Sequence, residues 1–510
     1  MEDFRMRRLL IPMAAAFAFA VACAPAHAAS FTLGPTSLAS GVSPFAPGCG
    51  GPGEAVPSSV NYLNAEVETH VAVNPTNSNN VVAFWQQDRW NDGGSHGNLA
   101  GFSFDGGMTW GHSAPAFTRC AGGTGNTGGY ERGTDPWVSF SPNGRVHAIT
   151  IGFDNSTARN AILAAFSTDS GATWSAPRIV RFDNPRAVGN AFNDKETLTA
   201  DPFNSSLVYA TWQRIISPSP TTSQQGYNNA RSYYSEAWFA RSTNGGQSWE
   251  PARAIFAENG KLTQTIGNQV EVLPDGTLIN GFNLIHARTN RQGTRGYNVA
   301  LVRSRDKGVT WSDDIFVNRL LSDEVTDPDD GHDVRTGDIL PDWAVDRSSN
   351  AATRGNVYVV WMDTRFNDAD HDDILLARSR NGGLSWDPPV VVDKAPRGVD
   401  AFTPMVDVDS QGRVAVSYYD FRNDVPGDAK LSTDLWIGHS HDGGASFAAA
   451  DETRVTTTSF DMRTAPDALG YFVGDYTGLD HFGTTFHPTW VGANDGNLTN
   501  RTDVFHRAGG

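Results

Sequence analysis

Cysteine is nearly missing from this chain. Only Cys23, Cys49 and Cys120 occur in 510 residues, so neither a disulfide-dense scaffold nor a cysteine-rich metal module can organise it. Long hydrophobic runs are missing too: beyond Leu9 to Val21 no stretch is long and apolar enough to span a bilayer. Basic residues are scarce, with 39 Lys and Arg against 56 Asp and Glu and a formal net charge of −17. That balance argues against a nucleic-acid partner and for a self-repelling, soluble surface. It leaves room for an acidic ligand, because a few convergent arginines can hold one locally.

The N-terminus carries Arg5, Arg7 and Arg8, then the apolar run, then Ala26-His27-Ala28. Together these read as a secretory signal peptide over residues 1–28, leaving one domain over residues 29–510, secreted to an extracellular or periplasmic space. A lipid-anchored start at Cys23 is the alternative, since Ala20-Val21-Ala22-Cys23 loosely matches a lipobox without its leucine. Losing Arg5, Arg7 and Arg8 with Glu2 and Asp3 leaves a mature charge of −18. In an oxidising compartment Cys49 and Cys120 can pair, tying the N-terminal segment to the end of the first repeat; two separate buried thiols are the other reading.

What the chain has in abundance is one eight-residue motif, S-x-[DN]-x-G-x-[ST]-[WF], in six copies starting at Ser103, Ser167, Ser242, Ser304, Ser379 and Ser440. The copies recur every 61 to 75 residues, about one four-stranded sheet with its loops, and such a period means a repeat architecture. The motif reads as a hairpin turn: the Asp or Asn accepts backbone N–H groups, the glycine takes a positive φ, and the aromatic anchors the turn between sheets. This pattern is the Asp-box, or bacterial neuraminidase repeat, and the chain resembles the sialidase-like β-propellers over nearly its whole mature length.

Each box lies between two strand-like runs and follows two more, so every unit reads as four strands. After the sixth unit about sixty residues remain, with three further strand-like runs and no box. The segment Ser30 to Leu38 supplies the missing fourth strand and protects the sheet edges by closing a ring. The expected fold is therefore an all-β, seven-bladed propeller of four-stranded antiparallel blades, the last closed by the N-terminal strand. A six-bladed sialidase propeller with a C-terminal appendage is the alternative.

In a propeller the starts of the first strands and the ends of the second strands share one face. Around those positions lie Glu68, Asp135, Glu196, Gln269, Asp475 and Tyr476. At the second-strand exits an aromatic, an aspartate and an arginine recur, giving Asp88 with Arg89, Asp363 with Arg365 and Asp420 with Arg422. Two readings stay open: internal ion pairs that staple each loop, or Arg89, Arg365 and Arg422 converging as bidentate donors for a carboxylate. The resemblance implies the second, because sialidases grip a carboxylate with three arginines. It also implies a tyrosine nucleophile (Tyr419 or Tyr476), a glutamate partner (Glu196 or Glu68) and an aspartate general acid–base (Asp88 or Asp135). Among these, Tyr419, Glu196 and Asp88 are taken as catalytic; Arg89, Arg365, Arg422, Glu68, Asp135, Gln269, Asp475 and Tyr476 as substrate-binding. The Arg-Ile-Pro triplet that opens the first sialidase blade does not occur.

Two acidic loops, with Asp329 and Asp333 in one and Asp370 and Asp372 in the other, suit calcium by their hard oxygen ligands, or are simply exposed acid. No cofactor is otherwise required. The expected activity is a secreted exo-α-sialidase-type glycoside hydrolase, releasing terminal acidic sugars from glycans as a monomer. A non-catalytic glycan- or protein-binding propeller, with Trp85, Trp90, Trp212 and Trp361 as stacking surfaces, and a uronate lyase are the alternatives.

Overall fold

The computed structural model describes residues 31–55, 58–184, 190–217, 234–257, 263–286 and 296–510. The leader expected over residues 1–28 lies outside them. Among the described residues every regular element is a strand or a single 3-10 turn, and there is no α-helix.

Short strands separated by Gly, Asn and Asp turns pair with their sequence neighbours, so the sheets are antiparallel meanders. The first four-strand unit opens with Glu66–Val73, Val81–Arg89 and Ser95–Ser103 and the second with Arg132–Phe140; a single Ser95 to Gly133 pair merges them into one eight-stranded sheet. Three four-stranded sheets follow, opening with Asn190–Ala200, Thr263–Val272 and Asp342–Val345, and then a five-stranded one opening with Ala401–Val408. The opening strands pack beside one another in chain order. The segment after Phe472 then runs between the last and the first of them, where Glu68 N–H donates to the Val473 carbonyl, Val73 N–H to Asp480 and His481 pairs with Asp407 at 2.6 Å. The train of sheets therefore returns to its start in a propeller-like arrangement. The final strands Thr489–Ala493 and Thr502–His506 take Ser37–Leu38 as their outer partner, as the unpaired N-terminal segment suggested, but the sheet they form has three strands instead of the expected four.

Sheets stacked on both faces explain why Val81–Arg89 is buried at all nine positions instead of alternating. The fifth residue of four second strands, Trp85, Trp212, Trp361 and Tyr418, is fully buried, and each ring donor bonds nearby: Trp85 to Gln87, Trp212 to Asn193, Trp361 to Asp363 and Tyr418 to Glu452. Trp90 is also buried. These tryptophans are packing groups, so the expected stacking surface does not exist at them.

The eight-residue turns close on themselves. Ser103 donates to Asp105 at 2.8 Å, Gly107 N–H returns to Ser103 at 2.8 Å, and Thr109 N–H reaches Asp105 at 2.9 Å. The copies at Ser167 and Ser440 repeat this pattern to within 0.2 Å. Trp174 Nε1 then donates across to Ser113 of the preceding unit at 2.9 Å, stapling neighbours. The register puts these turns at one end of each sheet, beside Val73 and Val81, and Glu66 with Gln87 at the other. Cys49 and Cys120 are disulfide-bonded, which pins the N-terminal segment as expected.

Candidate functional site

At the end of the sheets opposite the eight-residue turns, five opening strands share one irregularity. Their pairing slips between Val67 and His70, Thr134 and Trp137, Asp194 and Thr197, Ile266 and Gln269, and Phe402 and Met405. Each slip is a β-bulge whose leading residue has positive φ: Glu68 at 52°, Asp135 at 50°, Lys195 at 49°, Gly267 at 65° and Thr403 at 53°. Only glycine takes this conformation freely, so the four others each carry roughly 1–2 kcal/mol of backbone strain. A bulge re-aims its side chain, and here the strained residues turn toward a common region.

Lys195 is the hub of that region. Its Nζ lies 2.8 Å from Glu68, 3.2 Å from Asp135 and 2.7 Å from Asp475. Arg335 grips Asp475 with both arms, at 2.9 and 2.6 Å. Arg335 and Arg89 both lie over the Phe472 ring, at 4.3 and 4.8 Å. Tyr476 stands beside the hub with its ring centroid 5.6 Å from Lys195 Nζ and its hydroxyl donating to the Pro136 carbonyl at 3.1 Å.

The electrostatics divide these groups. Burial works against the Lys195 ammonium, but facing Asp135, Asp475 and Glu68 hold its pKa well above the ordinary lysine value. Burial likewise opposes ionised Asp475, and Arg335 with Lys195 overcomes it, keeping that carboxyl below the usual range. Glu68 goes the other way, pushed up to about 7 by burial despite Lys195. Glu196 is pushed well above the carboxylate range by burial and then by Asp135, and neither of its carboxyl oxygens has a hydrogen-bond partner. An orphaned buried carboxyl demands an explanation, and a neutral acid facing a cavity supplies one. Burial also lifts the Tyr476 phenol well above its ordinary value.

The cavity holds about 520 Å³ including its open mouth, and is walled by Asp135, Lys195, Glu196, Gln269, Asp475 and Tyr476 with apolar Trp137, Leu340, Pro341 and Met405. Asp342, also on the wall, is raised to about 8 by burial. Gln269 has its amide engaged, spanning to Trp343 N–H and C=O at 3.3 and 3.1 Å.

Glu68, Asp135, Glu196, Gln269, Asp475, Tyr476 and Arg89 are thus brought to one place. The other expected site residues are not. Arg365 closes on Asp363 of its own strand exit at 2.6 Å, and Arg422 closes on Asp420 and Glu452. The three arginines therefore form no common grip, and two of the three pairs are the loop staples of the alternative reading. Arg89 is 2% exposed with its Nη1 on Gln86 at 2.8 Å, and burial lowers its pKa to about 10. Tyr419 is sealed in the core, exchanging bonds with the Val491 backbone at 2.8 and 3.1 Å. Asp88 is fully buried under the N-terminal segment, accepting from Ser43, Asn64 and His96 at 2.7 to 2.9 Å. Arg335 was not foreseen: it sits in the two-residue strand Val334–Arg335, outside every repeated pattern.

The four aspartates expected to hold calcium do not gather. Asp329 pairs with Arg463 at 2.8 Å, Asp333 and Asp370 are exposed, and buried Asp372 faces Ser322 and the Asp323 N–H. None belongs to a metal-holding group among the described residues.

No family model matches the chain, and no curated protein is significantly similar to it. Solved structures of similar shape include the Hadza microbial sialidase Hz136, at 13% identity and a TM-score of 0.46 over 84% of this chain and 73% of that one. An α-L-arabinofuranosidase of Fusarium graminearum aligns at 12% identity and a TM-score of 0.45, covering 75% and 97%. A protein of unknown function from Dyadobacter fermentans aligns at 14% and 0.44, covering 74% and 94%.

Proposed function

We propose that this chain is a secreted glycoside hydrolase built as a single seven-bladed propeller of the sialidase-like kind, acting on a terminal sugar held in the Lys195 cavity. The observation that carries the reading is Glu196, a buried carboxyl on the cavity wall, held neutral and free of partners, beside an Asp475 held ionised. Carboxyls driven apart in this way divide the work of glycosidic cleavage: the one with the raised pKa delivers a proton to the leaving oxygen, and the ionised Asp475 meets the positive charge developing on the sugar. Tyr476 is the tyrosine available as nucleophile for a retaining route, in place of Tyr419.

The acidic-sugar, exo-α-sialidase version keeps Arg89, Lys195 and Arg335 as its cations. Lys195 and Arg335 already face carboxylates, so a sialic acid carboxylate must share them with Asp475. Neutral glycosides face no such competition and belong in the same assay. The purified chain, acting as a monomer, is expected to release 4-methylumbelliferone from at least one member of a panel of sialosides, uronides, arabinofuranosides and hexosides. Glu196→Gln is expected to remove roughly 100-fold or more of that rate. No release from any member, with saturable glycan binding instead, leaves the non-catalytic propeller; an ultraviolet-absorbing product leaves the lyase.

A further inference from the structure

The sixth eight-residue turn departs from the other five in a way that points to a metal. The residue before the opening serine is Phe102, Phe166, Arg241, Arg303 or Arg378 in the first five copies, and His439 in the sixth. Two of those arginines brace the next turn: Arg241 donates to the Lys307 carbonyl and Arg378 to that of Gly443, and each also pairs with an acid after its own turn. His439 takes up none of this. It is 2% exposed, and neither ring nitrogen has a hydrogen-bond partner.

Two further groups face it. His441 lies two residues on, its ring centroid 4.7 Å from that of His439. Asp451, from the 3-10 turn Ala449–Asp451, places one carboxylate oxygen 3.9 Å from His439 Nε2 and 3.8 Å from His441 Nε2. One ligand atom from each of the three lies within 4.8 Å of the others. Tetrahedral zinc with bonds of about 2.0–2.1 Å sets its ligands roughly 3.4 Å apart, so the partly exposed Asp451 has about half an ångström to close, and the exposed His441 ring must also turn in toward His439, from which its ligand atom lies within 4.8 Å.

We propose that His439, His441 and Asp451 form a binding site for Zn2+ on the rim of the sixth repeat, with a fourth position open to water beside the half-exposed His441. Two imidazoles and one carboxylate are the donor set of open zinc sites. Arg413, the nearby cation, is met by Asp409 at 3.0 Å. The two other His-containing groups are already committed: in one, Cys49 and Cys120 are disulfide-bonded and His96 is bonded to Asp88; in the other, His481 is bonded to Asp407, and Asp480 accepts from the Val73 and His481 N–H groups.

Calorimetric titration of the chelator-stripped, tag-free chain with Zn2+ is expected to give one equivalent per chain, and Co2+ a visible absorption band of low-coordinate geometry. His441→Ala and Asp451→Asn are each expected to weaken binding by roughly tenfold or more while leaving the metal-free melting temperature unchanged. His481→Ala is expected to leave binding intact. The proposal is overturned by absence of stoichiometric binding, by binding that survives both rim substitutions, or by binding lost only with His481.

Discussion

At the rim, Asp105, Asp169, Asp306 and Asp442 accept the same bonds in four turns, with Asn244 and Asn381 in two more; at the axial end, Glu68, Asp135, Lys195, Gly267 and Thr403 hold one backbone shape with five different residues. Both features repeat with the sheets. Repeated geometry carrying the same residue is doing one structural task many times. Repeated geometry carrying different residues, four of them strained, presents a different group on each of five opening strands, which is what a binding site needs. The sixth rim turn, with His439 and His441, is the place where the rim itself behaves like the axial end.

The comparison breaks most easily at Lys195. Lys195→Met strands Glu68, Asp135 and Asp475 beside one another, and loss of one partner from a buried ion cluster costs about 3–5 kcal/mol. A large drop in melting temperature and loss of activity are expected; a change below about 1 kcal/mol in denaturant unfolding would mean the cluster is not coupled. Glu196→Gln is the complementary case, with roughly 100-fold less turnover and little structural change. Its pH signature has a definite sign. A carboxyl whose pKa is raised on folding adds stability that is full below its unfolded value and lost as pH rises through the folded one, so Gln at position 196 is expected to flatten the decline of wild-type stability as pH rises above the ordinary glutamate value.

At the rim, Asp169→Ala removes bonds to Thr173 and Ser167 and is expected to cost about 1 kcal/mol with activity intact. Activity loss at that substitution would erase the distinction between the two ends. The rim also responds to pH in the opposite sense: Thr109 and Ser103 hydrogen bonds hold the Asp105 carboxyl down to about 2, so its stabilisation is present above the unfolded value near 4 and lost as pH falls through about 2. Smallest of all is the response to calcium. With Asp329 committed to Arg463 and its three companions apart, millimolar calcium or a chelator of it is expected to leave the melting temperature where it was.

The rim was legible because its chemistry is local: a serine, an acceptor two residues on and a glycine two further close the turn within eight residues. The strand pattern and the return of Ser37–Leu38 to the final sheet were legible for the same reason, since an unpaired edge has few destinations. The second-strand arginines misled. An aspartate two residues before an arginine signals both a staple and a grip, and only the surroundings separate them; Asn318 and the Arg319 carbonyl complete the staple at Arg365, and Glu452 completes it at Arg422. Arg335 gave no signal at all, because its partner Asp475 is 140 residues away.

By itself the sequence determined an all-β chain of repeated four-strand units with self-closing turns, because those bonds join residues a few positions apart. Tertiary structure alone decided which charges meet. Lys195 collects carboxylates 127, 60 and 280 residues distant, and no local pattern encodes that convergence, since it depends on the return of the whole train of sheets to its beginning.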